Sequence, residues 1–195
     1  VLSGGRFRLG IGIGWNPVEF TGLNENFHDR GPRSAEQVEV MRALWAEPHV
    51  TFKGKWHSIE DAGINPLPTG RSIPVWFGGH EDVVLRRIAR TGDGWIMLAH
   101  PMGDKATAEF AKLRQYAREA GRDPGSIGLE VWVSTGSGSP DDWRKEFQFW
   151  KQAGVTHLTL NSTYGRGTHK RIAGRTVADH LQAMRQYREA VADLL

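Results

Sequence analysis

The chain has 195 residues, of which 39% are hydrophobic and 24% are charged, and this balance allows a buried core and excludes wholesale disorder. It contains no cysteine, which excludes disulfide scaffolds, thiolate metal sites and cysteine nucleophiles and fits a cytoplasmic protein. No apolar run approaches the ~18 residues of a membrane span, and the 25 Lys and Arg residues are interspersed with 22 Asp and Glu residues. We therefore expect no membrane insertion and no nucleic-acid binding, which needs cations gathered on one face.

The first half of the chain alternates apolar and amphipathic segments. Apolar residues alternate with small or polar ones over residues 7–14, which predicts a strand that leads into a loop. Residues 34–46 carry apolar side chains at helical spacing, with Ser34 as the predicted N-cap and Gln37 as its capping-box partner. Residues 73–77 predict a short buried strand, and residues 81–91 predict the helix that follows it.

The second half repeats this order. We predict strands at 95–98, 127–133 and 155–160. We predict helices at 104–120, from about 141 onward with Asp141 as its N-cap, and from Thr176 to about 194. About five strand–helix units in this order are typical of a parallel sheet covered by helices. Periodicity leaves a doubly wound sheet and an incomplete (β/α)₈ barrel both open. Length alone favours the doubly wound sheet, because a complete barrel usually needs ~250 residues.

Two glycine-rich stretches are candidate binding sites. The first, residues 10–15, has two glycines of a dinucleotide-binding fingerprint, but Trp15 stands where the third is needed, so the match fails. It is either a strand that allows close approach or a seat for a flat ring beside Gly12 and Gly14, with Trp15 as one wall. The second, Gly78-Gly79-His80, joins a strand to a helix and predicts a phosphate site, the alternative being an ordinary tight turn. Three tryptophans on or beside strands are candidates for pocket walls: Trp15, Trp76 and Trp95.

Other polar residues give weaker signals. The eight histidines show no HxH or HExxH spacing, so we expect no metal site. No Gly-x-Ser-x-Gly sequence occurs, so a serine hydrolase is not predicted. His80 and His100 each follow a strand end, where catalytic groups lie in barrels, the alternative being that either is a polar residue that lines a loop. Arg30 and Arg33 either bind an anionic substrate or, as we expect, pair with Glu36 and Glu39 and brace their loop.

These stretches together resemble the bacterial luciferase-like monooxygenase family, in particular the branch that uses the deazaflavin coenzyme F420. The resemblance lies in the order and spacing, over residues 2–98, of LSGGRF (2–7), GIGIGW (10–15), EF (19–20), Arg30 and Arg33 before Glu36, LW (44–45), VTFKGKW (50–56), PVWFGG (74–79), LRRIAR (85–90) and GDGW (92–95). It implies an α/β fold of the (β/α)₈ TIM-barrel type that binds its cofactor at the C-terminal ends of the strands. It also reverses the argument from length. Residues 1–195 would be a single barrel domain resembling about the fourth to eighth βα units, with the N-terminal strands apparently absent.

The resemblance implies a function as well as a fold. It points to an oxidoreductase of monooxygenase type that uses F420 or FMN on a small organic substrate, and we expect a cytoplasmic homodimer. In the family, the loop matching Gly78, Gly79 and His80 holds cofactor phosphate, and the stretch matching Gly12, Gly14 and Trp15 lies near the ring. Catalytic residues stay unassigned, and His100-Pro101-Met102, where some F420-using members have Lys, leaves the choice between F420 and FMN open. The alternative is a non-catalytic flavin-binding or barrel-remnant protein.

Overall fold

The computed structural model describes residues 1–165 and 169–195 of the protein. The chain folds into two compact units, Val1–Phe77 and Gly78–Leu195. Within the described residues, no helix combines the length and the apolar character that crossing a bilayer requires.

The first unit contains a parallel strand pair, a long helix and a hairpin. Its elements are β1 (Leu9–Ile11), α1 (Pro17–Gly22), α2 (Arg30–Ala46), β2 (Val50–Lys53), β3 (Ser58–Ala62) and all of β4 (Val75–Gly78) except its last residue. β1 pairs in parallel with β4, with Ile11 opposite Phe77, and β2 pairs antiparallel with β3. Val38 of α2 and Val75 and Phe77 of β4 are buried, so the apolar faces predicted for these elements are the ones removed from water.

The second unit continues the strand–helix alternation. Its elements are α3 (Asp82–Thr91), β5 (Gly94–Ala99), α4 (Asp104–Glu119), β6 (Gly128–Val133), α5 (Pro140–Gln152), β7 (His157–Leu160) and α6 (Val177–Val191). β5 pairs in parallel with β6, and β6 pairs in parallel with β7. Trp95 of β5, Phe110 of α4 and Trp150 of α5 are fully buried, and their rings meet edge to face at centroid distances of 5.9 and 6.2 Å. Such pairs add to the stability that the buried area itself provides.

The predicted α/β fold with parallel strands is confirmed. Five strands in parallel pairs, β1 and β4 to β7, lie within the described residues, as the chain order predicted. The strand ends differ from the predicted ones by only a few residues. The assignment of residues 1–195 to a single barrel domain stays a prediction.

The start of α2 differs from the prediction. The helix begins at Arg30, one turn before Ser34, and Ser34 lies inside it with only 6% of its surface exposed. The prediction of a capping box formed by Ser34 and Gln37 is therefore wrong. Pro32 falls in the first turn, where proline costs little because the N–H groups there have no partner within the helix.

The start of α5 is also corrected. Its N-cap is Ser139 rather than Asp141, because Ser139 and Asp142 form a reciprocal capping box. The N–H of Ser139 donates to Asp142 Oδ2 at 2.8 Å, and the N–H of Asp142 donates to Ser139 Oγ at 3.4 Å. Asp141 lies in the first turn. The prediction that Thr176 opens the last helix is confirmed, since it caps α6 with Asp179 as its partner.

The β2–β3 hairpin is an element that was not predicted from the sequence. Residues 50–53 are VTFK, a β-branched and aromatic run followed by Gly54, and this composition is a usable hairpin signal. The short helix α1 was missed as well, although Asn16 caps it and Pro17 occupies its first position. Both elements lie between β1 and β4 in the chain and provide walls of the pocket described below.

Candidate functional site

The predicted phosphate loop connects β4 to α3. Gly79 has a φ of +116°, a conformation that glycine adopts readily and that other residues adopt only with strain. A Cβ atom at this position would lie 3.2 Å from Cγ1 of Val84. Nε1 of the fully buried Trp95 donates a hydrogen bond of 2.8 Å to the carbonyl oxygen of Gly79. Because the peptide is trans, the N–H of His80 is directed away from Trp95.

The N-terminus of α3 also suits an anion. Its N-cap, Glu81, makes no side-chain hydrogen bond to the helix, whereas α5 and α6 are closed by capping boxes. An uncapped helix start presents backbone N–H groups and the positive end of the helix dipole. The acidic residue of the first turn, Asp82, accepts hydrogen bonds from Tyr116 Oη at 2.5 Å and Arg86 Nε at 3.0 Å, and these bonds lower its pKa. Lys112 Nζ lies 3.3 Å from the same carboxylate, so the charge of Asp82 is balanced by α3 and α4.

This arrangement fits a cofactor phosphate. Gly79 gives the loop a backbone conformation that residues with a side chain disfavour, and the helix start beside it has no cap of its own. His80 is exposed, and its ring meets that of Trp95 edge to face at a centroid distance of 6.1 Å. Gly78, Gly79 and His80 thus lie together between a strand end and a helix start, as predicted.

The other predicted stretch borders a pocket in the first unit. Gly12 and Gly14 line a cavity of about 530 Å³ whose remaining walls come from α1, α2 and the hairpin tip, including Phe20, Glu25 and His57. The guanidinium of Arg30 holds this loop, since its Nε donates to the carbonyl oxygen of Gly14 at 3.2 Å. The C-terminal end of β1 is therefore one wall of a pocket with both polar and apolar lining.

The three tryptophans do not behave alike. Trp15 is 84% exposed and does not belong to the lining of the pocket beside Gly12 and Gly14. Trp76 and Trp95 are buried, so the prediction that they form pocket walls is wrong. Trp95 instead anchors the carbonyl of Gly79, a role that sequence reasoning missed because donor and acceptor are 16 residues apart.

Arg33 braces its loop, but with other partners than predicted. It forms an ion pair with Glu25, and its Nε lies 3.8 Å from Asp29 Oδ1. The predicted partners were Glu36 and Glu39, and Glu36 instead binds the hairpin tip. The expectation that Arg30 and Arg33 brace their loop is confirmed. The predicted ion pairs with Glu36 and Glu39 are wrong.

A second pocket lies in the other unit, and its lining residues were not among the predicted site residues. It has a volume of about 450 Å³ and is lined by residues at the C-terminal ends of β5, β6 and β7, among them Leu98, Trp132 and Asn161. Leu98 has a φ of +63°, and the register between β5 and β6 shifts between Ile96 and Ala99. Strand ends of this kind are where parallel α/β folds bind ligands. Among residues 1–165 and 169–195, no group of three or more His, Asp or Glu side chains is placed to hold a metal ion.

Comparison with known proteins places this geometry in a family. The model of the luciferase-like monooxygenases matches residues 1–193. An F420-dependent glucose-6-phosphate dehydrogenase from Segniliparus rotundus is 33% identical over 147 residues, which cover 73% of this chain and 43% of that protein. The pyrimidine monooxygenase RutA from Allorhizobium ampelinum is 32% identical over 141 residues, covering 68% of this chain and 38% of that protein.

A solved structure extends the comparison to the fold. The crystal structure of the monooxygenase RslO1 from Streptomyces bottropensis matches with a TM-score of 0.78 at 18% identity, over 98% of this chain and 70% of that chain. The α/β architecture described above therefore matches part of a luciferase-like barrel. The chain spans about two fifths of the length of the two curated relatives named here. On the match over residues 1–193, the chain belongs to the luciferase-like monooxygenase family.

Proposed function

We propose that the protein is an oxidoreductase that uses F420 or FMN to act on a small organic substrate. The observation that carries this proposal is the β4–α3 loop, where the positive φ of Gly79 and the uncapped start of α3 together suit a phosphate group. An F420-dependent enzyme among the relatives supports the deazaflavin, and a riboflavin lyase whose solved structure contains modified FMN supports the flavin.

Each predicted residue has a role in this proposal. Gly78, Gly79 and His80 hold the phosphate through backbone N–H groups, while Gly12, Gly14 and Trp15 lie near the ring. When bound, the flavin or deazaflavin supplies a centre that accepts or delivers hydride. The residues of the chain orient that ring and exclude water from it. We further propose a monooxygenase-type reaction, a homodimeric assembly and a cytoplasmic location.

Titration of cofactor fluorescence against the protein tests the proposal. We expect FMN or F420 to be quenched with a micromolar Kd, and riboflavin, which has the FMN ring without the phosphate, to bind at least about tenfold more weakly, a difference of about 1.4 kcal/mol. Equal affinities for FMN and riboflavin would contradict the phosphate role of the β4–α3 loop. No quenching by either cofactor at high protein concentration would contradict the proposed function.

Turnover separates this enzyme from the non-catalytic alternative. The cofactor-loaded protein is expected to reduce or oxidise the bound ring when it is supplied with a panel of alcohols, aldehydes and reduced nicotinamides. Tight cofactor binding without any change in the absorbance of the ring would favour a flavin-binding protein instead.

A further inference from the structure

A third pocket, in the second unit, lies beside the first two turns of α5. It has a volume of about 320 Å³ and shares no lining residue with the two pockets described above. Asp142, Trp143 and Glu146 of α5 line it, together with Met102 from the segment after β5 and His169 from the segment after β7. The proposed function uses none of these residues, so a ligand of this pocket would add to that function.

The carboxylate of Glu146 is held through only one of its oxygens. Its side chain is 15% exposed, and Oε1 accepts a hydrogen bond from Nε2 of His169 at 2.9 Å and another from Nε1 of Trp150 at 3.3 Å. No described residue donates a hydrogen bond to Oε2, which is not a fully buried atom. Because both oxygens of a carboxylate accept hydrogen bonds, Oε2 remains open to a ligand in this pocket.

The ring of His169 leaves a second acceptor unpaired. An ionised carboxylate only accepts hydrogen bonds, so Nε2 carries a proton, and in the neutral ring the lone pair is on Nδ1. The side chain is 8% exposed, and Nδ1 is buried without a partner among the described residues. A protonated ring would place a charge and an unpaired N–H in this position, which is more costly than an unpaired lone pair. The neutral ring therefore leaves the charge of Glu146 unbalanced.

The lining offers a ligand negative charge and acceptors. Asp142 and Glu146 belong to it, and the described lining residues include no Lys or Arg. The hydroxyl of Ser134 and the indole N–H of Trp143 each donate to a backbone carbonyl oxygen, so these two donors are already used. An anion would meet two carboxylates without a cation in the lining. The pocket therefore favours a positively charged molecule that brings N–H donors.

We infer that this pocket binds a small primary amine in its ammonium form. An ammonium group has three N–H donors, no acceptor and one positive charge. It can donate to Oε2 of Glu146, and its charge offsets that of the carboxylate, which makes the hydrogen bond stronger than one between neutral groups. The same group offers a donor to the acceptor that His169 leaves unpaired.

The rest of the pocket suits a short carbon chain. Met102 and the indole ring of Trp143 provide apolar surface, and a volume of about 320 Å³ lies within the range of small-molecule sites. A metal ion does not fit, because no group of three or more His, Asp or Glu side chains in the described part of the chain is placed to hold one. The occupant is therefore an organic cation rather than an inorganic one.

Calorimetric titration with three probes of similar size tests the ligand class. The probes are butylammonium, choline, whose quaternary ammonium has no N–H, and 1-butanol, which has no charge. We expect butylammonium to bind at least about tenfold more tightly than either of the others, because both the donors and the charge contribute. Equal affinities for butylammonium and choline would contradict the hydrogen bond to Glu146. No binding of butylammonium would overturn the inference.

Two charge-removing variants on α5 form a matched pair. Glu146→Gln keeps the size of the side chain and removes its charge, and we expect it to weaken butylammonium binding at least about tenfold. Asp141→Asn removes one charge from the same helix at an exposed residue that does not line the pocket, and we expect an affinity within about twofold of wild type. An equal loss in both variants would indicate general charge attraction and contradict the site.

Met102 provides a second pair that does not depend on the folding of Glu146→Gln. Its side chain is 50% exposed, so substitution is tolerated without loss of a buried contact. Met102→Lys brings an ammonium group of its own to the lining and is expected to abolish butylammonium binding, whereas Met102→Leu keeps it. Wild-type affinity in Met102→Lys would contradict the location of the ligand.

The nitrogen signals of His169 report on the site without any substitution in it. In long-range ¹H–¹⁵N spectra, assigned with His169→Gln, we expect Nε2 to be protonated, Nδ1 to be unprotonated, and the Nδ1 signal to shift when butylammonium is added. Heat of binding without a shift of Nδ1 would place the amine elsewhere and overturn the inference.

The same ammonium chemistry occurs on free amines and on lysine side chains. Nα-acetyl-lysine amide carries the group on a bulkier molecule, and we expect it to bind more weakly than butylammonium. Tighter binding of this lysine probe would assign the site to a protein partner and overturn the small amine. Titration of FMN or F420 tests only the proposed function, so a failure of that titration is distinguishable from a failure of amine binding.

Discussion

Replacing Gly79 by alanine is expected to destabilise the protein, whereas the same change at Gly78 is not. Alanine at a φ of +116° costs about 1–3 kcal/mol of backbone strain, and its Cβ would lie 3.2 and 3.4 Å from the two methyl groups of Val84. At Gly78 the nearest atom to a new Cβ is the carbonyl oxygen of Ile96 at 4.0 Å, which is an ordinary contact. We therefore expect Gly78→Ala to change the free energy of unfolding by no more than about 0.5 kcal/mol.

Urea unfolding followed by circular dichroism measures this difference. The expected loss for Gly79→Ala corresponds to a fall in Tm of about 2–12 °C for a chain of this size. Fluorescence titration then separates strain from function. Displacing the N–H of His80 should weaken FMN binding about tenfold or more, or about 1.4 kcal/mol, and leave riboflavin binding unchanged. Equal unfolding midpoints for the two variants would refute the strain argument, and wild-type FMN affinity in Gly79→Ala would make this residue only part of a turn.

Four further changes test individual contacts. Trp95→Phe keeps the aromatic packing but removes the donor to the Gly79 carbonyl, so we expect it to lower the free energy of unfolding by about 1–3 kcal/mol in urea titrations. Arg122→Ala removes hydrogen bonds to three carbonyl oxygens at the end of α3 and is expected to cost about 2 kcal/mol by the same measurement. Ser139→Ala removes the cap of α5 and should cost about 1 kcal/mol, seen as a lower midpoint. The pKa of Glu36 is lowered from 4.5 to about 2, so its ionised form stabilises the fold fully above pH 4.5 and progressively less as the pH falls to 2. The difference in free energy of unfolding between wild type and Glu36→Gln should therefore become smaller over that range. Urea unfolding curves recorded at several pH values measure it.

The strand–helix alternation of the second unit could be predicted because its signals are local. Each helix has an apolar face at a spacing of three and four residues, and each strand is a short apolar run between turn residues. The helix predicted at 104–120, for example, is observed at Asp104–Glu119. Such boundaries depend on side chains within a few residues of each other, and the sequence contains all of them in one window.

The attachment of the hairpin tip to α2 depends on contacts that no local window contains. Glu36 accepts hydrogen bonds from the N–H groups of Lys55, Trp56 and His57, which are 19, 20 and 21 positions further along the chain. The candidate site likewise combines features that the local sequence predicts with features that depend on distant residues. The glycine-rich turn could be predicted from residues 78–80, but the hydrogen bond that Asp82 accepts from Tyr116 depends on a residue 34 positions away. Non-local hydrogen bonds of this kind decide which polar side chains face a site and which ones support it.

The attachment of the hairpin to α2 also determines which part of the pocket can open. Three amide protons at the hairpin tip are hydrogen-bonded to one carboxylate, so they should be protected from exchange with solvent for as long as the tip and α2 remain joined. Trp56 adds a further bond from its indole Nε1 to Asp29 Oδ2 at 3.0 Å. α1, which also lines this pocket, has six residues, and none of them is buried. Molecules should therefore enter and leave this pocket through motion of α1, with the hairpin as the fixed wall, and amide exchange should be fast in α1 and slow at the hairpin tip.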